Sequence, residues 1–225
     1  YLIDIDLAEN IFLELINFKS NHKNSSNVKI EVGLKKNKII FDYIKFTEGK
    51  NSIFVSNLKL NAKNELESIS GIDVLTFNNN QENNNFEIIF KEKISIIGKK
   101  YDATYLFKQL TSDNKKNVLK NFTKEIEIKL NNLITKSQIT LDNFNLIGRI
   151  KKGKFDKLSA KSEFSKNEYL DISLKKNENN KKILEIYSDL PQALLSDYKF
   201  FDGIKGGKLL YNLIYNDEGS TSKMT

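Results

Sequence analysis

Two pairs of carboxylates stand two residues apart in this chain, and such pairs are candidates for acid–base chemistry. Glu125 with Glu127, and Asp4 with Asp6, are of the residue types that glycosidases use as acid and nucleophile. Each pair alternates with apolar residues. In a β-strand it therefore lies on the face opposite to the apolar side chains. A solvated rim is the favoured interpretation of both pairs.

The residues that several other catalytic and metal-binding sites require are missing from this chain. The chain has no cysteine and a single histidine, His22, so neither a thiolate metal site nor a histidine-based triad can be assembled within it. Gly206-Gly207-Lys208 suggests a phosphate loop, but Leu209 follows where the Walker pattern requires Ser or Thr. A glycine turn with positive φ before a strand is the favoured interpretation. We predict no catalytic residue, no metal and no cofactor.

The net charge of +7 does not indicate a nucleic-acid-binding protein. Lysine supplies almost all of it, Arg149 is the one arginine, and the lysines are spread evenly. Direct readout of DNA relies on arginine within a clustered basic face, so no nucleic-acid partner is predicted. No run approaches the ~20 apolar residues of a membrane helix. The first residues alternate like a strand already in progress, and we expect the chain to be a fragment of a longer protein.

Apolar and polar residues alternate with a period of two along most of the chain. Val28 to Leu34, Phe86 to Phe90 and Ile126 to Leu130 show it most clearly, and the pattern predicts strands with one apolar face and one wet face. Asparagine-rich segments, 78–85 and 175–182, are predicted as connecting loops, because Asn tolerates left-handed backbone angles. The sequence therefore predicts a long antiparallel meander.

Two or three short helices are expected to interrupt the meander. One is predicted near 103–111 with Asp102 as its N-cap, and another near 190–198 with Asp189 as its N-cap and Pro191 in its first turn. A sheet with one apolar face must cover that face. It can fold into a sandwich, close as a barrel, or curl around an apolar ligand, and the alternation alone does not choose between these.

An ordered set of motifs resembles the C-terminal module of the AsmA-like superfamily. Ser188-Asp189 ends a strand, Ala193-Leu194-Leu195 follows, and Phe201-Asp202-Gly203-Ile204-Lys205-Gly206-Gly207 leads into a strand at Leu209. Leu141 to Phe144 and Phe155 to Leu158 resemble the two preceding family strands. The specific likeness covers roughly 98–219, so we expect a β-groove segment over 1–97 and an AsmA-like module over 98–225. Two residues depart from the family pattern. Pro191 stands where the family usually has a small residue, and Lys199 stands where the family tends to have glycine.

The resemblance implies a mostly β fold: an elongated, curved antiparallel sheet that forms an open groove, with two or three short helices. Members of this superfamily are bacterial envelope proteins that are anchored at the inner membrane, cross the periplasm and carry phospholipid in an apolar groove. For this chain it implies a non-catalytic role in lipid transport, with phospholipid as ligand. It also implies a periplasmic location, a membrane anchor outside this segment, and envelope protein partners at the groove ends.

The apolar side chains of the predicted strands would then line the lipid path, and Gly206 and Gly207 would form a structural turn. The groove candidates are Ile30, Val32, Phe86, Ile88, Phe90, Ile126, Ile128, Leu130, Phe144, Ile172, Leu174, Leu184, Ile186, Leu209, Tyr211 and Leu213. The alternative hypothesis is a closed β-sandwich that acts as a scaffold or adhesion domain and binds protein or glycan, with the same residues as its core.

Overall fold

The computed structural model describes residues 1–21, 25–35, 38–105, 123–136, 138–151, 154–165, 167–179, 181–192, 206–216 and 219–224. The chain divides into two compact units, Tyr1–Gln109 (unit 1) and Leu110–Thr225 (unit 2). The boundary that the sequence suggested, between 97 and 98, falls inside a strand of unit 1, because Gly98 pairs with Phe86 there.

Unit 1 is built around one sheet, in which every described strand pair is antiparallel. Its hydrogen-bonded order is β1-β4-β5-β6-β8-β9-β10, with β7 added beside β6, and β2 and β3 pair separately as a small hairpin. Its strands are β1 (Leu2–Leu7), β2 (Phe12–Leu13), β3 (Phe18–Lys19), β4 (Ser26–Lys35), β5 (Lys38–Glu48), β6 (Asn51–Leu60), β7 (Leu66–Ser68), β8 (Gly71–Asn78), β9 (Gln81–Phe90) and β10 (Ile94–Asp102).

Unit 2 is an antiparallel meander in which each strand pairs with the next in sequence, in the order β11 to β17. Its two end strands do not pair with each other in the described part of the chain, so its sheet is open. Its strands are β11 (Lys124–Ile134), β12 (Thr140–Lys151), β13 (Lys154–Ser165), β14 (Glu168–Lys176), β15 (Lys182–Ser188), β16 (Leu209–Asn216) and β17 (Gly219–Met224).

The asparagine run at 78–85 is mostly strand, and its prediction as a loop was wrong. Only Asn79 and Asn80 form the turn, with φ of 50° and 64°, in the left-handed region that Asn tolerates. From Gln81 onward the residues belong to β9, where Asn83 and Asn84 are buried. Their amides find hydrogen-bond partners inside the protein, so burial overrides their preference for turns.

The mostly β fold is confirmed, but the predicted short helices are not. The described residues contain a single 3₁₀ turn, Glu14–Ile16, and no complete α-helix. At the first predicted helix, residues 103–105 form a turn in which Asp102 Oδ1 accepts hydrogen bonds from the backbone N–H and hydroxyl of Thr104, and 106–111 lie outside the described residues. At the second, Pro191 and Gln192 are helical, while the rest of the motif, from Ala193 to Lys205, lies outside them.

Membrane-spanning helices are also not found: in the part of the chain that the structure describes, no helix is both long and apolar enough to cross a bilayer.

Candidate binding surface

One face of the unit 1 sheet carries a grid of apolar side chains, which the strand register arranges in rows across the strands. Residues that pair across neighbouring strands point to the same side of a sheet, so each row can be read directly from the pairing. The first row crosses all seven strands and consists only of Ile and Val. Its members are Ile3, Ile30, Ile44, Val55, Ile72, Ile88 and Ile96.

The second row lies two residues further along each strand and is also apolar. Phe46, Val74 and Phe86, which belong to it, are buried, whereas the members of the first row between Ile30 and Ile96 are half-buried. The complete row is Ile5, Val28, Phe46, Ile53, Val74, Phe86 and Gly98. Side chains two residues apart on a strand point to the same face, so all five unit 1 groove candidates lie on this one face. They are Ile30, Val32, Phe86, Ile88 and Phe90.

The grid ends at a third row of buried polar residues. Glu48 is 2% exposed, and its carboxylate accepts hydrogen bonds from Ser26 Oγ (3.1 Å), Asn51 Nδ2 (3.0 Å) and the backbone N–H of Asn21 (2.7 Å). Further along this row, Asn84 Nδ2 donates to Thr76 Oγ1 at 2.9 Å. The apolar face of unit 1 is therefore bounded on this side by polar groups whose hydrogen bonds are made inside the protein.

Residues 11–21, here called the strap, lie across this polar row. The strap contains β2, the 3₁₀ turn and β3, and it is closed by hydrogen bonds between Ile11 and Ser20. Its backbone carbonyls accept from the sheet: Leu15 from the Tyr101 hydroxyl, Ile16 from Asn84 Nδ2, and Asn17 from the side-chain amides on β8 and β9. The strap thus runs from β10 to β5, where Asn21 reaches Glu48.

Phe18 projects from the strap onto the apolar grid. Its side chain is completely buried, and its ring lies edge-on to Phe46 of the second row with 5.8 Å between ring centroids. At the β10 end, Tyr101 lies over Phe86 with centroids 4.9 Å apart, and burial together with the negative charge of Asp102 raises the pKa of Tyr101 well above its ordinary value. Aromatic rings from β10 and the strap therefore cover part of the second row.

One face of the unit 2 sheet carries an apolar grid of its own. A first row pairs Ile128, Leu146, Ala160, Ile172, Ile186 and Tyr211 across six strands, β11 to β16. A second row pairs Ile126, Gly148, Leu158, Leu174, Leu184 and Leu213 across the same strands. Leu130, Phe144 and Leu209 continue this face. Every unit 2 groove candidate therefore lies on one face of its sheet.

The opposite face of unit 2 is charged. Ion pairs join its strands: Lys161 to Asp171 and Lys175 to Glu185 (2.6 Å) connect neighbouring strands. Lys157 on β13 reaches across β12 to Glu125 on β11. The hydrogen bond from Lys175 lowers the pKa of the Glu185 carboxyl. Exposed pairs of this kind contribute little stability, so their main consequence is that this face stays hydrated while the other stays apolar.

A polar corner joins β14, β15 and the start of β16. The Asp189 carboxylate accepts hydrogen bonds from the Tyr187 hydroxyl (2.5 Å), the backbone N–H of Tyr169 (2.9 Å) and Lys208 Nζ (3.0 Å). These are not helix-capping contacts, so the prediction of Asp189 as an N-cap was wrong; the Ser188 hydroxyl instead accepts from the N–H of Leu190. Next to this corner, Gly206 and Gly207 have φ of 76° and 89° before β16.

The Asp189 corner is expected to lose its contribution to stability in acid. The hydrogen bonds from Tyr187, Tyr169 and Lys208 lower the pKa of Asp189 to about 2 from an ordinary value of 3.8. Because the folded pKa lies below the unfolded one, this stabilisation is present above about pH 4 and is lost as the pH falls through 2. Urea unfolding of Asp189→Asn should lack this part of the pH dependence, while Asp171→Asn should retain it. Parallel profiles for the wild type and Asp189→Asn between pH 4 and 2 would contradict the assignment.

The paired carboxylates have ordinary structural partners. Asp4 and Asp6 both accept from Asn27 Nδ2, at 2.6 and 3.0 Å, and Glu127 forms an ion pair with Lys129. Among the described residues, no three acidic or histidine side chains are grouped to hold a metal ion. The carboxylates therefore indicate no reaction, and the features that bear on function are the apolar face of unit 1 and the apolar face of unit 2.

Sequence reasoning missed the polar row and the strap. One signal was available: Thr76 and Asn84 stand at positions where the alternation of β8 and β9 calls for apolar residues, beside Val74 and Phe86. Polar residues on the otherwise apolar face of two adjacent strands indicate that a polar segment covers this part of the face. Residues 8–18 have no clear period, a pattern that is compatible with a helical turn or an irregular crossover, and the structure has both the 3₁₀ turn Glu14–Ile16 and the strap in this stretch.

Comparison of the chain with models of protein families, with curated proteins and with solved structures finds no significant match in any of the three.

Proposed function

We propose that this chain is a non-catalytic segment of an envelope lipid-transport protein of the AsmA-like type. Its apolar faces shield phospholipid acyl chains from water as the lipid passes between the inner and outer membranes. The observation that carries the proposal is the one-sided grid: rows of Ile, Val, Leu and Phe cross seven strands in unit 1 and six in unit 2.

The incomplete burial of these faces supports a ligand more than a closed core. In the described part of each unit, the extensive contacts of the sheet strands are with their hydrogen-bonded neighbours, apart from those between β8 and the strap. A sandwich would place a second sheet over the grid, and the described residues of each unit include none apart from the small β2–β3 hairpin of the strap. Most first-row residues, such as Ile44 and Ile128, are not fully buried, although Leu146 and Ala160 of unit 2 are. This leaves apolar surface available to acyl chains.

The physical basis of such binding is non-directional. Burial of an acyl chain against apolar side chains contributes about 0.8 kcal/mol for each CH₂ group that leaves water. Because the hydrophobic effect requires no oriented partner, a row of similar side chains offers equivalent positions along which a chain can slide. A charged opposite face keeps the sheet hydrated on its other side. No catalytic group is needed for this role.

The finer features of the proposal come from the resemblance. They are an elongated, curved sheet that forms an open groove, a periplasmic location, an inner-membrane anchor outside this segment, and protein partners at the groove ends. The Ser188-Asp189 pair and the Gly206-Gly207 turn, which belong to the resembling motif, meet at the Lys208–Asp189 ion pair of 3.0 Å. This contact supports the interpretation that the motif is a structural corner of the module.

Site-specific photo-crosslinking tests the proposal. An aliphatic diazirine residue would replace Ile128 or Leu213 on the apolar face of unit 2, and Ile147 would serve as the matched control. Ile147 is also apolar and is 63% exposed, but it pairs with Glu127 on the charged face. After incubation with vesicles of phosphatidylethanolamine and phosphatidylglycerol, phospholipid adducts are expected at Ile128 and Leu213 and not at Ile147.

Two results would count against lipid transport. Equal adducts at Ile147 would mean that lipid adheres to any exposed apolar residue of this sheet. A folded protein with adducts at none of the three positions would mean that protein covers the apolar face, and the closed β-sandwich hypothesis would replace the proposal.

A further inference from the structure

The strap divides the apolar grid of unit 1 into a covered part and an open part. On β5, Phe46 of the second row is 8% exposed beneath Phe18, while Ile44 of the first row, two residues away on the same face, is half-buried. The same contrast is seen on β8, where Val74 of the second row is 5% exposed and Ile72 of the first row is half-buried. The two rows have the same chemistry and differ in what lies over them.

The strap is held by many directed contacts that are spread over several strands. Asn17 Nδ2 donates to Asp102 Oδ2 at 2.9 Å on β10, and Asn84 Nδ2 donates to the Ile16 carbonyl at 2.6 Å on β9. At β5, the backbone N–H of Asn21 donates to the buried Glu48 carboxylate. Releasing the strap would leave these part-buried donors and acceptors without partners, which is unfavourable because each loses a hydrogen bond that water only partly replaces. It is therefore a fixed part of the surface and not a gate.

Phe18 occupies a place that an apolar ligand would otherwise take. Its ring is wholly buried, and it contacts the second row by an edge-to-face arrangement typical of aromatic cores. Beyond it stands the polar row of Glu48, Asn51 and Thr76, whose groups are already hydrogen-bonded. An acyl chain placed there would gain no apolar contact and would separate buried hydrogen-bond partners.

From this arrangement we infer that Phe18 sets the limit of the ligand surface in unit 1. Acyl chains bind along the first row and stop at the second, because the Phe18 ring lies over Phe46 and the strap strand that carries it lies against β8, where Val74 is buried. The inference rests on the proposed function, since it concerns where on that surface the ligand lies. It assigns a specificity-determining role to Phe18, with the remaining strap residues as positioning residues.

The test compares two positions on one strand, β8, with the same probe. A diazirine residue at Ile72 reports on the half-buried first row, and one at Val74 reports on the buried second row, on the same face. With the vesicles described above, the unaltered strap should give phospholipid adducts at Ile72 and at least tenfold fewer at Val74. Phe18→Ala should bring the yield at Val74 to within about twofold of that at Ile72, and Phe18→Leu should leave Val74 largely protected.

The outcomes separate this inference from the proposed function. Equal adducts at Val74 and Ile72 with the unaltered strap, or adducts in unit 2 but at neither unit 1 position, would overturn the role of Phe18 while lipid transport stands. Adducts nowhere, including Ile128, would overturn both. The comparison of Ile72 with Val74 needs no change in the strap, so it decides the inference even if Phe18→Ala does not fold.

Discussion

Replacement of Gly98 by alanine is expected to lower the free energy of unfolding by about 3 kcal/mol, at the upper end of the usual cost of overpacking. Gly98 stands in the second row of unit 1, opposite Phe86. A Cβ atom there would overlap the Asn85 carbonyl oxygen and lie 2.5 Å from Phe86 Cα. Both neighbours are backbone atoms of β9, so no side-chain rotation relieves the overlap. The strands β9 and β10 would have to separate.

Gly33 on β4 is the matched control for this experiment. It is also a strand glycine of unit 1, but a Cβ added there meets nothing within 4 Å. Gly33→Ala should leave stability unchanged or raise it by up to about 1 kcal/mol, because alanine has less conformational freedom to lose on folding. Urea denaturation followed by circular dichroism would compare the two variants. Equal midpoints for Gly98→Ala and the wild type would refute the close approach of β9 and β10 at this residue.

Replacement of Glu48 by alanine is expected to cost about 3 kcal/mol and to free one end of the strap. The carboxylate accepts from Ser26, Asn51 and the Asn21 backbone, and hydrogen bonds to a charged group contribute about 1.5–3 kcal/mol each. Removing the carboxylate leaves these three donors without their acceptor. The site is buried, since Glu48 itself is only 2% exposed. Hydrogen exchange should show faster exchange of the Asn21 and Ser20 amides together with the global loss.

Two further variants make the Glu48 prediction specific. Glu48→Gln keeps one acceptor oxygen but turns an amide donor toward other donors, so its cost should fall between those of the wild type and Glu48→Ala. Glu87→Ala removes an exposed carboxylate from the opposite face of the same sheet, where it pairs with Asp73, and should change stability by less than about 0.5 kcal/mol. If Glu48→Ala behaved like Glu87→Ala, the buried polar row would not hold the strap.

The alternation of the sequence was sufficient to predict strands and the face to which each side chain points. Ile126, Ile128 and Leu130 share a face because successive side chains of a strand point to opposite sides, and no other part of the chain is needed for that result. The turn at Asn79 and Asn80 is equally local, because it follows from backbone angles that asparagine tolerates.

The helix predictions show where local signals were misleading. Asp102 and Asp189 are good N-cap residues in isolation. In the folded chain, Asp189 instead accepts hydrogen bonds from Tyr169, Tyr187 and Lys208. Asp102 accepts from the N–H of Thr104 within its own turn and also from the distant Asn17. A carboxylate satisfies whichever donors the fold brings to it, and most of these donors are distant in sequence.

The sequence by itself determined the apolar and polar faces, strand by strand. Only the tertiary structure decided which strands stand side by side, and so which residues form the rows that end at Glu48 and Asn84. It also placed the strap, whose hydrogen bonds to β8, β9 and β10 join residues 61 to 86 positions apart, from Asn78 with Asn17 to Tyr101 with Leu15. The physical reason is that alternation acts between neighbours in the chain, whereas a buried hydrogen bond or an aromatic contact depends on groups that only the complete fold brings together.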